Sequence, residues 1–191
     1  MNIRRATPGD ADALAKVHVD SWRSAYRGLV PDSYLAGLDR AKRGEHFRKA
    51  LTEHSEETYL AEQDAEVLGL LTVGRCRDTD VDQHGTGEIW GIYLAPEHWR
   101  KGLGRLLCQY GEGILQSRGY TLATLWVFGG NAQARRFYEA MGFRADGASR
   151  TLNPGAPLEA VRYRKELGHA AQGDASDWQR AAASRPPVPD W

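Results

Sequence analysis

Residues 87–107 read GEIWGIYLAPEHWRKGLGRLL, and this stretch decides the fold. The apolar run 88–94 predicts a strand. A turn around Pro96 then leads into a basic loop, 99–105, that opens an amphipathic helix. The first turn of a helix has unpaired N–H groups and the positive end of the helix dipole, and glycines let the backbone approach an anion closely. This strand–loop–helix unit therefore predicts a phosphate-binding site.

The glycine spacing separates this loop from two better-known phosphate-binding motifs. Gly102 and Gly104 are followed by Leu107, so the third glycine of the dinucleotide fingerprint is missing. A Gly-Lys-Ser/Thr triplet, which marks a nucleoside-triphosphate loop, does not follow either. Taken by itself, the loop is also compatible with a tight strand–helix turn whose basic side chains are solvated.

The composition excludes several classes of protein. The chain has 191 residues, with 25 Lys plus Arg, 25 Asp plus Glu and a formal net charge of +0, which argues against a nucleic-acid partner. Its first residues contain no apolar signal region and it has no run of 18 apolar residues, so we expect no membrane partner. Cys76 and Cys108 lie in apolar surroundings and predict buried free thiols in a reducing compartment. These features together predict a cytoplasmic protein.

Periodicity and turn residues predict the other elements. Strands are expected at 2–6, 57–63, 67–75, 122–128, 143–148 and 160–164. Helices are expected from Pro8 to about Gly28, at 31–38, 41–52 and 131–141, and from the glycine loop to Gly119. This order predicts an α/β fold (α+β by some schemes), with a mixed sheet and helices on both faces. We expect the chain to form one domain, 1–167, followed by a loosely ordered Pro/Ala-rich tail, 168–191.

A second motif begins at Asn131 and reads NAQARRFYEAMGF up to Phe143. Together with the loop at 99–105, this sequence resembles the GNAT superfamily of acetyl-CoA-dependent N-acetyltransferases. The resemblance covers about residues 2–166 and is sharpest over 87–143. It implies a mixed, mostly antiparallel central sheet of six to seven strands, with acetyl-CoA as the acetyl donor.

The resemblance also implies the residues of an acetyl-CoA site. The backbone of Ile92, Tyr93 and Leu94 is expected to pair with the pantetheine arm as if it were an additional strand. The pyrophosphate is expected on backbone N–H groups of the loop, from Arg100, Lys101, Gly102, Leu103, Gly104 and Arg105. Asn131 matches an asparagine that contacts the pantetheine or the substrate. One position departs from the pattern, because Trp99 stands where the family usually has Arg or Gln.

Two residues are candidates for proton transfer. Tyr138 matches the tyrosine that protonates the departing CoA thiolate, and the alternative is a helix tyrosine half-buried against the sheet. Glu88 lies fourteen residues before Gly102, the spacing of the general base in the histone-acetylating branch. Independently, desolvation of a carboxylate in an apolar strand would raise its pKa. The alternative is a glutamate in solvent or paired with an arginine. Trp126 stands where ribosomal-type N-terminal acetylases place a glutamate, which argues against that branch.

The acceptor side is less determined by the sequence. Candidate substrate-binding residues of the first helices are Trp22, Arg23, Tyr26 and Tyr34, although Trp22 and Tyr26 are at least as compatible with a core-facing pair. Asp80, in a loop with two further aspartates, is a candidate for attracting a cationic amine, and a solvated loop is the alternative. The six histidines show no metal-ligand spacing, so we expect no metal.

The sequence therefore predicts an enzyme that transfers acetyl from acetyl-CoA directly to a primary amine of a small molecule. One alternative is a protein acetyltransferase acting on lysine or N-terminal amines. Another is an acyl-CoA-binding sensor that does not catalyse transfer. A monomer and a homodimer are both compatible with the sequence.

Overall fold

Seven strands form one sheet in the order β1-β2-β3-β4-β5-β7-β6. The computed structural model describes residues 1–168, and the predicted tail lies outside the described residues from residue 169 onward. Five of the strand pairs are antiparallel, and the β4–β5 pair is parallel. The strands are β1 (Asn2–Arg5), β2 (Glu57–Gln63), β3 (Glu66–Arg75), β4 (Thr86–Leu94), β5 (Leu122–Phe128), β6 (Arg144–Leu152) and β7 (Leu158–Glu166).

Helices cover both faces of this sheet. They are α1 (Ala11–Ala25), α2 (Asp32–Ala36), α3 (Arg40–Glu53), α4 (Leu103–Ser117) and α5 (Ala132–Ala140). On one face, Leu107 and Leu115 of α4 and Tyr138 of α5 belong to the larger hydrophobic cluster. On the other face, α1 and α3 form a second cluster with β2 and β3. The predicted fold class, a mixed sheet between two helical layers, is confirmed.

The two central strands separate partway along their length. β4 and β5 are paired from Thr86 and Leu122 to Ile89 and Leu125. β4 continues to Leu94, and β5 continues to Phe128, without further pairing between them in the described structure. The sheet therefore opens into a gap at its centre, with strand backbone on both sides.

A β-bulge lies at the point where this gap begins. Gly91 pairs with Thr72 and Ile89 pairs with Val73, so Trp90 is an extra residue in β4. A bulge bends a strand and increases its local twist. It also shifts the alternation of side chains by one residue. As a result Glu88, which lies before the bulge, faces the same side of the sheet as Tyr93, the side covered by α1.

Most element predictions agree with the structure. The strands expected at 57–63 and 122–128 coincide with β2 and β5. The two last strands were predicted too short, because β6 is an edge strand in which exposed and partly buried residues alternate with few apolar side chains. The first helix ends at Ala25, earlier than predicted. Cys76 and Cys108 are buried free thiols, as expected.

Within residues 1–168, the structure contains no helix whose length and apolar character would let it cross a membrane.

The β2–β3 hairpin allows a direct test of this backbone. Both central residues of its turn have positive φ, 52° at Asp64 and 63° at Ala65, a conformation that favours glycine. We expect Ala65→Gly to raise the free energy of unfolding by about 0.5–1 kcal/mol, because glycine removes the strain. Ala13→Gly, in the body of α1, should lower it by about 1 kcal/mol. Urea unfolding of both variants measures this, and a destabilised Ala65→Gly protein would contradict the turn geometry.

Candidate active site

The gap between β4 and β5 exposes strand backbone at the centre of the sheet. Residues 91–94 of β4 are paired with β3 on one side and have no partner on the β5 side among the described residues. An extended molecule can pair with such an edge through main-chain hydrogen bonds. Ile92, Tyr93 and Leu94, the predicted pantetheine-binding residues, all lie in this segment.

The loop that follows β4 is shaped to receive an anion. Gly102 has φ +80° and precedes the first turn of α4, and Arg100 also has a positive φ, 59°. Within the part of the chain that the structure describes, no acceptor takes the N–H groups of residues 100–105. These free donors lie at the positive end of the α4 dipole, an arrangement that binds phosphate groups. The loop residues present therefore fit a pyrophosphate.

Trp99, the residue that departs from the family pattern, ties this loop to β4. Its indole Nε1–H donates to the carbonyl oxygen of Leu94 at 3.1 Å. The carbonyl at the end of the strand is thereby satisfied, and the loop is held against the end of β4. Trp99 is therefore an anchor of the loop, a role that its position in the sequence did not reveal.

Tyr138 stands at the gap from the α5 side. Its ring packs against Phe137 and Phe143, with ring centroids 5.1 and 6.0 Å away. Burial raises the pKa of the Tyr138 hydroxyl well above its usual value, and the nearby Cys108, Tyr26 and Tyr93 raise it further. No hydrogen bond within residues 1–168 is among the influences on the pKa of this hydroxyl, which is protonated and can act as a donor.

Asn131 begins α5 and connects it to α1. Its Oδ1 accepts a hydrogen bond from the Ala134 N–H at 3.0 Å, which caps the helix. Its side chain also lies close to the Tyr26 hydroxyl, where it opposes the strong rise in the pKa of that group caused mainly by burial. The structure thus brings together Tyr26, Asn131 and Tyr138, which the sequence assigned to different parts of the site.

Glu88 is almost completely buried, at 1% exposure, but it is not in purely apolar surroundings. Its carboxylate accepts hydrogen bonds from Arg77, from the backbone N–H at 3.0 Å and from Nε at 3.1 Å. A second guanidinium nitrogen completes the ion pair, and this guanidinium lies 4.4 Å from the centroid of the Trp90 ring. The carboxylate is removed from solvent, as its place in an apolar strand suggested. The alternative of a glutamate paired with an arginine describes the observed arrangement.

Aromatic side chains of α1 cover the gap from the other face. Trp22 and Tyr26 pack against each other at 4.6 Å, and both meet Phe128 at the end of β5 edge to face. Tyr34 is 39% exposed and lies 6.4 Å from Trp22. These three predicted acceptor residues therefore form one wall.

Arg23, the fourth candidate of the first helices, has a structural role instead. It donates to the carbonyl groups of Leu35 at 3.1 Å and Leu38 at 2.8 Å, near the end of α2. The carbonyl groups left unpaired at that helix end are satisfied in this way.

Asp80 is bound by an arginine that the sequence analysis missed. Arg162 of β7 is 5% exposed and holds both carboxylate oxygens of Asp80, at 2.6 and 2.8 Å. It also binds Asp146 at 2.8 Å and Asp78 at 3.2 Å. A carboxylate occupied in this way is not free to attract a cationic amine. An arginine between Val161 and Tyr163 in an apolar strand was the signal that could have indicated this network.

His18 was not singled out in the sequence, although it lies beside the site. Its ring is 4.5 Å from that of Tyr93, and its Nδ1 has no hydrogen-bond partner among the described residues. Burial lowers the pKa of His18 to about 3, so the imidazole is neutral in the folded protein.

Among residues 1–168, one surface group has ligand atoms within 4.8 Å of one another: Glu66, Glu97 and His98. It comes from two separate segments, so no spacing in the sequence indicates it.

The open strand edge and the anion-binding loop together fit an extended ligand with an anionic end. The model of the Acetyltransferase (GNAT) family matches residues 19–143. The uncharacterized N-acetyltransferase YuaI of Bacillus subtilis (strain 168) is 33% identical over 143 residues, 73% of this chain and 78% of that protein. The spermidine N(1)-acetyltransferase of Thermoplasma acidophilum is 24% identical over 155 residues, 76% of this chain and 89% of that protein.

Solved structures have the same fold. The PaiA N-acetyltransferase of Thermoplasma acidophilum, in complex with coenzyme A, has a TM-score of 0.70 at 21% identity, covering 86% of this chain and 98% of that one. YncA of Salmonella typhimurium, with acetyl-CoA, has a TM-score of 0.65 at 21% identity, covering 91% and 98%. The chain belongs to the GNAT acetyltransferase family, and it is an acetyl-CoA-dependent acetyltransferase.

Two glycines with the same geometry provide a matched test of the loop. Gly102 and Gly119 have φ +80° and +86°, and a Cβ added at either meets no atom within 4 Å. Alanine at either position should cost about 1 kcal/mol of stability through backbone strain. We expect Gly102→Ala alone to weaken acetyl-CoA binding, by about tenfold, because it disturbs the donors of the loop. Calorimetric titration measures this, and equal affinity in both variants would contradict the assignment of the loop.

Proposed function

We propose that this enzyme acetylates a primary amine of a small molecule by direct transfer. The observation that carries the proposal is that two loops contact the segments after α1 at the face where the acceptor would enter: the loop between β6 and β7, and the loop before α5. A Cβ added at Gly155, between β6 and β7, would lie 3.1 Å from the Tyr34 Cβ of α2. A Cβ added at Gly130, just before α5, would lie 2.5 Å from Cδ2 of Leu29, which follows α1. Contacts on both sides leave little room for a polypeptide acceptor, which favours a small one.

The residues of the gap supply the groups that direct transfer requires. Acetyl-CoA, held by the β4 edge and the loop, supplies the acetyl group. Backbone N–H groups of residues 92–94 would polarise its carbonyl oxygen, as an oxyanion hole does. Glu88 would accept the proton that the amine loses, through a water molecule. Tyr138 would give its proton to the departing thiolate sulfur, and one proton is thereby taken up for each one released.

An acceptor screen tests the choice between small molecules and proteins. The assay follows CoA release by purified enzyme with polyamines, amino acids, aminoglycosides and a peptide library. The spermidine acetyltransferase among the relatives supports a small amine, and we expect a small molecule to give the highest kcat/KM. A peptide that exceeds every small amine would favour the alternative, a protein acetyltransferase.

Tyr138→Phe tests the general acid. We expect kcat to fall by about 10²- to 10⁴-fold, while the acetyl-CoA Kd stays within about twofold, because the ring remains and the proton donor is lost. Tyr110→Phe is the control, since Tyr110 of α4 packs against Tyr59 of β2, with ring centroids 5.2 Å apart, and not against the unpaired part of β4. Steady-state kinetics with calorimetry measures both constants. An unchanged kcat in Tyr138→Phe would rule out the acid role.

Glu88→Gln tests the general base. Glutamine keeps the shape of the side chain but cannot accept the proton of the amine, so we expect kcat to fall by about 10²- to 10⁴-fold while the acetyl-CoA Kd stays within about twofold. Steady-state kinetics and calorimetric titration measure both constants. Glu57→Gln is the control, because Glu57 is a partly buried strand glutamate that is also paired with an arginine, Arg118. An unchanged kcat in Glu88→Gln would leave Glu88 only the role of holding Arg77.

A further inference from the structure

Arg150 crosses the acceptor face of the sheet from β6. It is paired with Ala160 of β7, and its guanidinium carbon lies 4.0 Å from the centroid of the Trp126 ring on β5. The small Ala160 side chain leaves room for the long arginine to reach the indole. An arginine stacked on an aromatic ring keeps the edge of its guanidinium free for hydrogen bonds.

The hydrogen-bonding capacity of Arg150 is not satisfied by the protein. Its Nε–H is buried and has no partner within the described residues. The closest carboxylate, Asp78, is 3.7 Å from Nη1, longer than a hydrogen bond. The side chain is 37% exposed, so part of it remains open to a ligand. Desolvation lowers the pKa of Arg150, which is the expected effect of a cation that lacks a full set of acceptors.

Two arginines near Arg150 already have carboxylate partners. The Arg77 guanidinium donates two hydrogen bonds to Glu88, and the Arg77 backbone N–H donates a third. Arg162 is surrounded by three aspartates, and the Asp78 oxygen that it binds also accepts from the Trp126 indole N–H at 3.0 Å. These two hydrogen bonds hold Asp78 in place. Its other carboxylate oxygen lies 3.7 Å from Nη1 of Arg150 and can orient the guanidinium.

These arginine–carboxylate pairs determine whether a cationic or an anionic group of an acceptor finds a binding partner on this face. A polyamine needs carboxylates as partners, but Glu88, Asp78, Asp80 and Asp146 are each bound by an arginine. An anionic group would instead find the unused donors of Arg150. Glu88 is paired with Thr124, which lies two residues before Trp126 on β5, so Glu88 and the Arg150–Trp126 stack lie on the same face of the sheet.

We propose that the acceptor carries a carboxylate in addition to its amine, and that Arg150, stacked on Trp126, binds this carboxylate. The proposal rests on the small-molecule function proposed above and narrows it to amino acids and amino-acid-like amines. A guanidinium presents two parallel N–H groups to one carboxylate, so the interaction orients the acceptor as well as binding it. Arg150 is then a specificity-determining residue.

Matched acceptor pairs test this with the wild-type enzyme. Each pair contains an amino acid and the amine that lacks its carboxylate: phenylalanine with phenethylamine, and tryptophan with tryptamine. Spermidine is included as a polyamine. We expect the α-carboxylate to raise kcat/KM by about 10- to 100-fold within the best pair. Equal or better activity with the decarboxylated amines or with spermidine would overturn the proposal.

Variants of Arg150 connect this preference to the side chain. Arg150→Gln should remove the preference by lowering kcat/KM for the amino acid about 10- to 100-fold while leaving the decarboxylated amine nearly unchanged. Arg150→Lys should retain part of it, because the charge remains but the two parallel donors are lost. Arg144→Gln, an exposed arginine of the same strand, is the control and should behave as the wild type. A preference that survives in Arg150→Gln would contradict the role of Arg150.

The outcomes separate this proposal from the broader function. If small amines are acetylated but carboxylates bring no advantage, the carboxylate proposal fails and the small-molecule function stands. If peptides are acetylated and none of the small molecules is, both fail. Thermal unfolding in the presence of CoA gives a second readout, in which the amino acid should raise the Tm of the wild type more than that of Arg150→Gln.

Discussion

The extra residue in β4, Trp90, is the constraint on which the rest of the structure depends. Because Ile89 and Gly91 pair with successive residues of β3, β4 bends at this point and stops pairing with β5. The backbone of residues 90–94 is then left without a neighbour on one side. In an ordinary sheet this unpaired backbone would be a defect. Here it lies at the centre of the molecule, directly before the anion-binding loop, and it is the feature that can receive an extended donor.

The bulge also determines which side chains share a face. Glu88 and Tyr93 have four residues between them and would face opposite sides of a regular strand. The shift at Trp90 places both on the α1 side. Arginine–carboxylate pairs then occupy this face. Buried ion pairs of this kind contribute little net stability, since desolvation offsets their attraction, but they fix the orientation of their members. Arg150 differs from the paired arginines because its Nε–H has no partner within the described residues and its closest carboxylate, Asp78, is 3.7 Å away.

The sequence predicted the fold and the donor side well, because both depend on local patterns. Gly102, the helix start at Leu103 and the strand 122–128 can be identified from glycine chemistry and apolar runs. The acceptor side depends on contacts between distant segments. The pairing of Glu88 with Arg77, and of Asp80 with Arg162, follows from strand register and a loop conformation that no local pattern encodes. The hydrogen bond of Trp99 to Leu94 is a similar case, since the family pattern marks the position only as a departure.

The central claim is that the β4 edge and the α4 loop together bind acetyl-CoA. Amide hydrogen exchange measured with and without acetyl-CoA tests it most directly, because these backbone N–H groups have no protein partner on the ligand side. We expect acetyl-CoA to slow amide exchange in residues 90–94 and in residues 100–105. Exchange at the hairpin turn formed by Asp64 and Ala65 should not change. Protection elsewhere in the chain, with both segments unaffected, would contradict it.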